Sequence, residues 1–495
     1  MGPFRGERFT GAGWATFVGG PHPSFQVERS EDGGGAMSTS PKAIEPDARD
    51  RSRAVRARAG KERRVKVPRS SSADWAPAKD RPDPIDLIRE ADRGRLPKLL
   101  PIRYGRMSLS PFTFFRGTAA MMARDLAATP VAGLSVQLCG DAHLSNFGIF
   151  GTPEREMVFD VNDFDETLPG PFEWDVKRLV TSFVVAGRVH GYSRSATRRA
   201  ARAALRSYRE RMRDFATMRY SDVWYYHLDL GGRAMPTGKD PRRLLRGAAR
   251  KARRRTSLHA FPKLTRAVGG RYRIRDHPPL IVHYPNSAAE AISRSCYEQY
   301  RSTLPEDRRM LLDRYHVEDV AQKVVGVGSV GTACSVLLLL GDRDVEDPLF
   351  LQLKQASASA LEPYLGPSGY PNHAQRVVTG QHLVQEASDV FLGWSELGSD
   401  DFYVRQLRDM KFANDISALG PREFAGQAEL CGTALARAHA RTGDPAGIAG
   451  YLGNRDVFDE AVLAFSDAYA DQTQRDYEAF QKAIKKGRIA ARVDV

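Results

Sequence analysis

The segment Leu138–Thr167, LCGDAHLSNFGIFGTPEREMVFDVNDFDET, constrains this chain more than any other. Apolar residues around it fall in three groups of strand length: Val136 and Leu138, Ile149 and Phe150, then Val158, Phe159 and Val161. The first two groups flank Asp141, His143 and Asn146, and the third carries Asp160, Asn162, Asp163 and Asp165. Turn chemistry accounts for one or two such acids. A strand with an apolar face has no packing use for three. A carboxylate, an amide five residues on and a second carboxylate across a hairpin bring hard oxygen ligands and a base to one point. That set suits Mg²⁺ beside a phosphate, because Mg²⁺ takes one or two carboxylates and completes its shell with water and phosphate oxygens.

A second glycine-rich feature lies far downstream. Lys323–Thr332 reads KVVGVGSVGT, with Gly326, Gly328, Ser329 and Gly331 in a GxGxxG frame. In a dinucleotide-binding fold such glycines open a helix. Here they lead into the apolar run Ser335–Leu340, a turn over 341–348 and a second strand ending at Lys354. A glycine hairpin with a lysine on its returning strand matches the device that covers ATP phosphates in kinases, where the lysine pairs with the α and β phosphates. Such a lysine calls for an acid from a helix behind it, and Glu362 and Glu386 both qualify.

Between and around these features the spacing predicts helices. Asp83–Ile88 starts one with Pro84 in the first turn. Arg103 and Arg106 read as solvated, while Arg116, after Phe112, Phe114 and Phe115, is left open. Leu168–Pro171 reads as a turn into a helix whose core face is Val176, Leu179, Val180, Phe183 and Val184. Asp175 near its start suits the helix dipole and equally suits bracing of the neighbouring loop. Arg198–Arg213 is the wet face of a further helix. The denser run Arg242–Arg255 has no interleaved aromatic residues, so we read it as solvated rather than as a surface for an acidic substrate or nucleic acid. His439, ending a helix over 425–441, reads as structural.

Charge and cysteine usage narrow the class. The net charge is +14, but residues 41–70 hold 11 Lys or Arg against 4 acids, half of that excess. Residues 1–80, rich in Gly, Pro, Ser and Arg, are expected to be a disordered basic segment. Nucleic acid binding is therefore expected only through that segment. Cys139, Cys296, Cys334 and Cys431 show no metal-binding spacing. No apolar run is long enough for a membrane span, and the opening MGPFRGERFTGAG has no apolar signal region, so the expected location is the cytoplasm.

GDAHLSNFG followed by VNDFDE resembles the aminoglycoside and choline phosphotransferase branch of the protein-kinase-like superfamily. RMSLSPFTFFRG, LCGDAHLSNFG, FDVNDFDETLPGPFEWDVKRL, KVVGVGSVGT, YVRQLRDMK and LARAHARTGD are more closely similar to the bacterial family called domain of unknown function 2252, over about residues 85–490. The phosphotransferase resemblance implies that Asp141 is the base or orienting acid, that His143 braces the loop at the catalytic centre, and that Asn146 and Asp163 ligate metal. Asp160 and Asp165 are alternatives in that last role. The cofactors implied are ATP and Mg²⁺, with Gly326, Gly328, Ser329, Gly331 and Lys354 on the nucleotide and an unidentified, small-molecule acceptor. A nucleotide-binding pseudo-enzyme and an AMP transferase use the same groups. The fold implied is α+β, protein-kinase-like and two-lobed. Because the glycine hairpin follows the acidic loop instead of preceding it, the lobes would be circularly permuted. The expected parts are a mainly helical lobe over 81–320 with the catalytic loop, a small antiparallel-sheet lobe over 321–411, and C-terminal helices over 412–495 that pack on the large lobe.

Overall fold

Val176, Leu179, Val180, Phe183 and Val184 form one face of the Phe172–Val189 helix, yet that helix is buried all round from Phe172 to Gly187. A helix wrapped on every side is a central one. In the computed structural model, which describes residues 52–228, 239–284, 287–324, 330–398, 400–407, 410–412 and 415–493, three long helices enclose it: Arg194–Phe215, Pro421–Thr442 and Val457–Lys485. Phe172, Phe183, Tyr208, Phe424, Phe458 and Phe465 fill the space between them.

The strands are antiparallel throughout, and the protein is α+β. β1 (Ser135–Leu138), β2 (Phe147–Gly151), β3 (Met157–Val161) and β4 (Leu168–Pro171) make two pairs, β1 with β4 and β2 with β3. Leu168–Pro171, expected as a turn, thus pairs with β1; proline suits an edge strand, which needs fewer N–H donors. β5 (Thr265–Val268) and β6 (Arg271–Ile274) form a hairpin. β7 (Ile281–Val282), β8 (His316–Lys323), β9 (Cys334–Leu340), β10 (Pro348–Ala356), β11 (Gly393–Leu397) and β12 (Asp400–Gln406) make one sheet in the order β11-β12-β10-β9-β8-β7.

The two-residue period of this sheet decides where its polar residues point. Leu337, Leu339, Leu349, Leu351, Leu353, Phe402 and Val404 cluster on one face with Tyr297 and Tyr300 of the Ser287–Thr303 helix. Val336, Leu338, Leu340 and Phe350 pack on the other face against Ala260 and Phe261 of the Ser257–Leu264 helix. Gln352 and Lys354 follow Phe350 on that second face, and Arg405 and Tyr403 lie opposite them in register.

Two expected boundaries are corrected. A border at 320 falls inside β8, and the sheet also recruits β7 from the preceding segment. Residues 52–80 are ordered, against the expectation of disorder. The Arg53–Lys66 helix lies so close to the Pro445–Leu452 helix that a Cβ on Gly60 would come 1.9 Å from the Gly447 carbonyl oxygen. Its Arg64, and Arg69 in the turn that follows it, cap that partner's C-terminal carbonyls, donating to Tyr451 O (2.8 Å) and Leu452 O (2.6 Å) respectively. The basic composition that reads as disorder is here the docking chemistry. Among the described residues no helix is long and apolar enough to cross a membrane, and all four cysteines are buried with free thiols.

Candidate functional site

The loop after β1 is fixed from beneath by the central helix. Asp175 accepts the Cys139 amide on Oδ2 (2.8 Å) and the Gly140 amide on Oδ1 (3.1 Å). His439 Nε2 lies 3.3 Å from the same Oδ2, and its Nδ1 meets Tyr208 Oη at 2.9 Å. Gly140 has φ +82°, and a Cβ there would lie 2.2 Å from the Glu166 carbonyl oxygen, so only glycine allows the loop to pass the acidic run.

That loop presents Asp141. Arg178, buried in the central helix and laid on the Phe115 ring, approaches Asp141 Oδ1 with Nε at 2.8 Å and Nη2 at 2.7 Å. Burial works to raise the Asp141 carboxyl, but Arg178, His143 and Arg116 together outweigh it and hold the group below the usual range. His143 is buried edge-on to Phe112, its Nε2 3.7 Å from Asp141 Oδ2. Burial lowers its imidazole to about 3, so it is neutral at physiological pH. Asn146 Nδ2 donates to the Asp141 carbonyl (2.8 Å), and the Asn146 carbonyl accepts the Asn162 amide (2.8 Å), tying the loop to the end of β3.

Of the three acids expected on the third strand, only Asp160 lies on β3, with Asp163 and Asp165 in the loop after it, and the three have different fates. Asp160 is enclosed, its Oδ2 pairing with Arg437 (2.5 Å) and accepting the Glu386 amide (2.8 Å) while its Oδ1 has no partner. It belongs to the support beneath the site. Asp165 forms an ion pair with Lys354 and accepts the Tyr403 hydroxyl at 2.8 Å. Burial would raise its carboxyl, but Lys354 and Tyr403 together bring it down to about 2. Asp163 Oδ1 is buried with no hydrogen-bond partner. Its carboxyl is pushed up by burial and by Asp165, against the pull of Lys354 and Arg405.

Lys354 therefore takes its acid from the loop run and not from Glu362 or Glu386. Glu362 lies 3.9 Å from Arg376 Nε, and Glu386 accepts the Leu228 amide (3.0 Å) beside Arg437. Both glutamates lie behind other cations, whereas Asp165 is carried to the Lys354 face of the sheet. Arg376 fastens that contact. It is almost fully buried and donates to the carbonyls of Thr167 (2.7 Å), Asp165 (2.8 Å) and Ser357 (2.8 Å), joining the acidic run to the strand that carries Lys354.

Two cavities flank the network. One, of about 360 Å³, is lined by Asp141, Asp165, Glu166, Arg95, Arg103 and Arg116 among others. Arg116 Nε is buried there without a partner, within electrostatic reach of Asp141 and Asp163. Arg103, expected in solvent, is instead buried and ion-paired with Asp92 at 2.9 Å. The other cavity, of about 730 Å³, reaches Asn162 and Arg405. Of the glycine-rich run, Gly326, Gly328 and Ser329 lie outside the described residues. Gly331 (φ +98°) packs on the Arg95 side chain, and its carbonyl accepts the Leu96 amide (2.7 Å).

The family described as "Uncharacterized protein conserved in bacteria (DUF2252)" matches over residues 95–483. The chain belongs to this family. The whole acid, arginine and lysine network lies within the matched DUF2252 region, while the docked Arg53–Lys66 helix precedes it. No curated protein and no solved structure matches the chain.

Sequence reasoning missed Arg178, Arg376, Tyr403 and Arg405. For the last two a signal existed: in Asp400–Gln406 they alternate with Phe402 and Val404, which places them on one strand face. Arg178 and Arg376 had none, since an arginine within a helix looks the same whether it points to water or to a buried carboxylate.

Proposed function

We propose that this DUF2252 protein is an ATP- and Mg²⁺-dependent phosphotransferase acting on a small-molecule acceptor, with a kinase-like two-lobed architecture whose lobes are circularly permuted. The observation that carries this reading is the meeting of Lys354 with Asp165 beside Asp163, whose buried Oδ1 has no partner. An orphaned buried carboxylate oxygen with a raised pKa is the state expected of a cation ligand without its cation.

Among the described residues no three His, Cys, Asp or Glu side chains gather as a metal cage. That agrees with Mg²⁺ held by few protein oxygens. Asp163 and Asn146 would hold it, with Asp165 once Lys354 turns to a phosphate. The Asn146 amide nitrogen is committed to the Asp141 carbonyl, so Oδ1 is its ligand atom. Bound there, the metal would neutralise phosphate charge. Lys354 and Arg116 would neutralise the remaining phosphate oxygens, and Asp141, open to the smaller cavity, would accept the proton of the acceptor hydroxyl. The permuted order is supported by the Pro421–Thr442 helix, which follows the sheet in sequence yet braces the acidic loop through Arg437 and His439.

Thermal unfolding with Mg²⁺ and ATP tests the reading. At about 100 times the dissociation constant the parent should gain roughly 2.7 kcal/mol. Asp163→Ala should lose most of that gain. No stabilisation of the parent would overturn the nucleotide reading, and the mass shift of acceptor products would separate phosphate from AMP transfer.

A further inference from the structure

The larger cavity has a composition that phosphoryl transfer does not require. Lys251 lies in the last turn of the Lys239–Arg253 helix, Arg254 and Arg255 follow it, Lys263 lies on the next helix, and Arg405 and Lys411 come from β12 and the segment after it. These six cations line a space of about 730 Å³ with His259, and no Asp or Glu is among the described lining residues. Like charges gathered within a Debye length of one another repel. Arg405 is offset in part by Asp163 and Asp165, and an anionic occupant removes the cost for the other five. The run Arg242–Arg255, which reads as solvated in sequence, turns its end into this concavity.

The floor supplies a second, independent feature. The Val161 carbonyl can only accept, so Gln385 donates Nε2 to it (2.9 Å). Gln385 Oε1 must then accept, and it takes Gln381 Nε2 at 2.8 Å. The relay fixes the remaining atom: Gln381 Oε1, on a side chain only 5% exposed that lines the cavity, has no partner. A buried carbonyl oxygen without a partner calls for an O–H or N–H donor.

We infer that this cavity binds a multiply phosphorylated small organic molecule, with its phosphates among the arginines and lysines and a hydroxyl or amino group on Gln381 Oε1. The volume fits a ligand of nucleotide or sugar-bisphosphate size. A nucleic acid strand is disfavoured because the Phe412 ring is covered by Lys251 (5.3 Å) and Arg255 (4.8 Å), which removes it as a platform for base stacking. The inference does not depend on transfer chemistry at Asp163.

Calorimetric titration of the full chain without divalent cations tests it, with ATP, fructose 1,6-bisphosphate, inorganic pyrophosphate and a short single-stranded oligonucleotide as probes. One organic phosphate should bind more tightly than pyrophosphate, and which one does so separates a nucleotide from a sugar ligand. The double variant Arg254→Glu/Lys263→Glu alters exposed side chains and should weaken that ligand by about tenfold or more. Gln381→Met should bring the organic ligand down to the pyrophosphate level without changing pyrophosphate itself. Binding measured without divalent cations and lost on the Arg254→Glu/Lys263→Glu reversal is separate from the Mg²⁺-ATP stabilisation, so the two readings can fail independently. Absence of organic phosphate binding, binding unchanged by the charge reversals, or tighter binding of the oligonucleotide would each overturn the inference.

Discussion

Lys354 on β10 and Asp165 after β3, 189 residues apart, form an ion pair in which the lysine is enclosed and the carboxylate keeps a face toward the smaller cavity. Tyr403, directly across the sheet from Lys354, donates to the other oxygen of the same carboxylate. The pair joins the sheet to the acidic loop at the point where Oδ1 of the loop's other acid, Asp163, has no hydrogen-bond partner. Stability and chemistry should therefore respond in opposite directions to changes here.

Asp163→Asn should stabilise the ligand-free protein by about 1 kcal/mol at pH 7, because it removes a half-buried carboxylate whose Oδ1 has no partner. A carboxyl raised above its unfolded value makes the parent lose stability as pH rises through that range, and the amide abolishes this dependence. Urea unfolding followed from about pH 4, the unfolded Asp value, up to pH 8 measures both. The same variant should lose Mg²⁺-ATP stabilisation and turnover. A less stable variant at pH 8 would contradict the strain assigned to Asp163.

Asp141→Asn should lower turnover by about 10² to 10⁴. It should also cost about 1–3 kcal/mol, because Arg178, buried in the central helix, loses its anionic partner. Turnover measured well below the variant's unfolding temperature separates the two effects, and unchanged turnover there would remove Asp141 from the chemistry.

Glu173 is buried at the start of the central helix, with Oε1 on the Ala132 amide (2.7 Å) and Oε2 unpartnered. Burial raises its carboxyl to about 7, against the Ala132 amide and Lys177. The unfolded chain releases this proton near pH 4, so the parent loses stability as pH rises from about 4 to 7. Glu173→Gln should be more stable than the parent at pH 8, by on the order of 2 kcal/mol, and equal to it at pH 4. Parallel stability curves for the two proteins would refute this account.

Gly60→Ala gives a test by sign. In a free helix the change stabilises by up to about 1 kcal/mol. Here the new Cβ meets the Gly447 carbonyl, so a net loss of about 1–3 kcal/mol is expected, read as a lower unfolding temperature. Stabilisation would mean that the Arg53–Lys66 helix does not dock.

By itself the sequence determined the local elements and the membership that goes with them. Apolar spacing marked the Phe172–Val189 helix and the strands around Leu138 and Leu339, because period and burial are properties of neighbours in the chain. It also singled out Asp141, Asn146, Asp163, Asp165 and Lys354, whose types and spacing have no packing purpose. Only the tertiary structure decided which of these meet. The sequence offered Glu362 and Glu386 as partners for Lys354 and not Asp165, and the choice came from Arg376, which holds the acidic run to the end of β10 through three backbone carbonyls. The same holds for the arginines of 53–69, which match a disordered segment in composition and cap a helix nearly 400 residues away. A charge carries no record in sequence of the partner it will find, since pairing is set by how separate layers pack and not by the residues beside it.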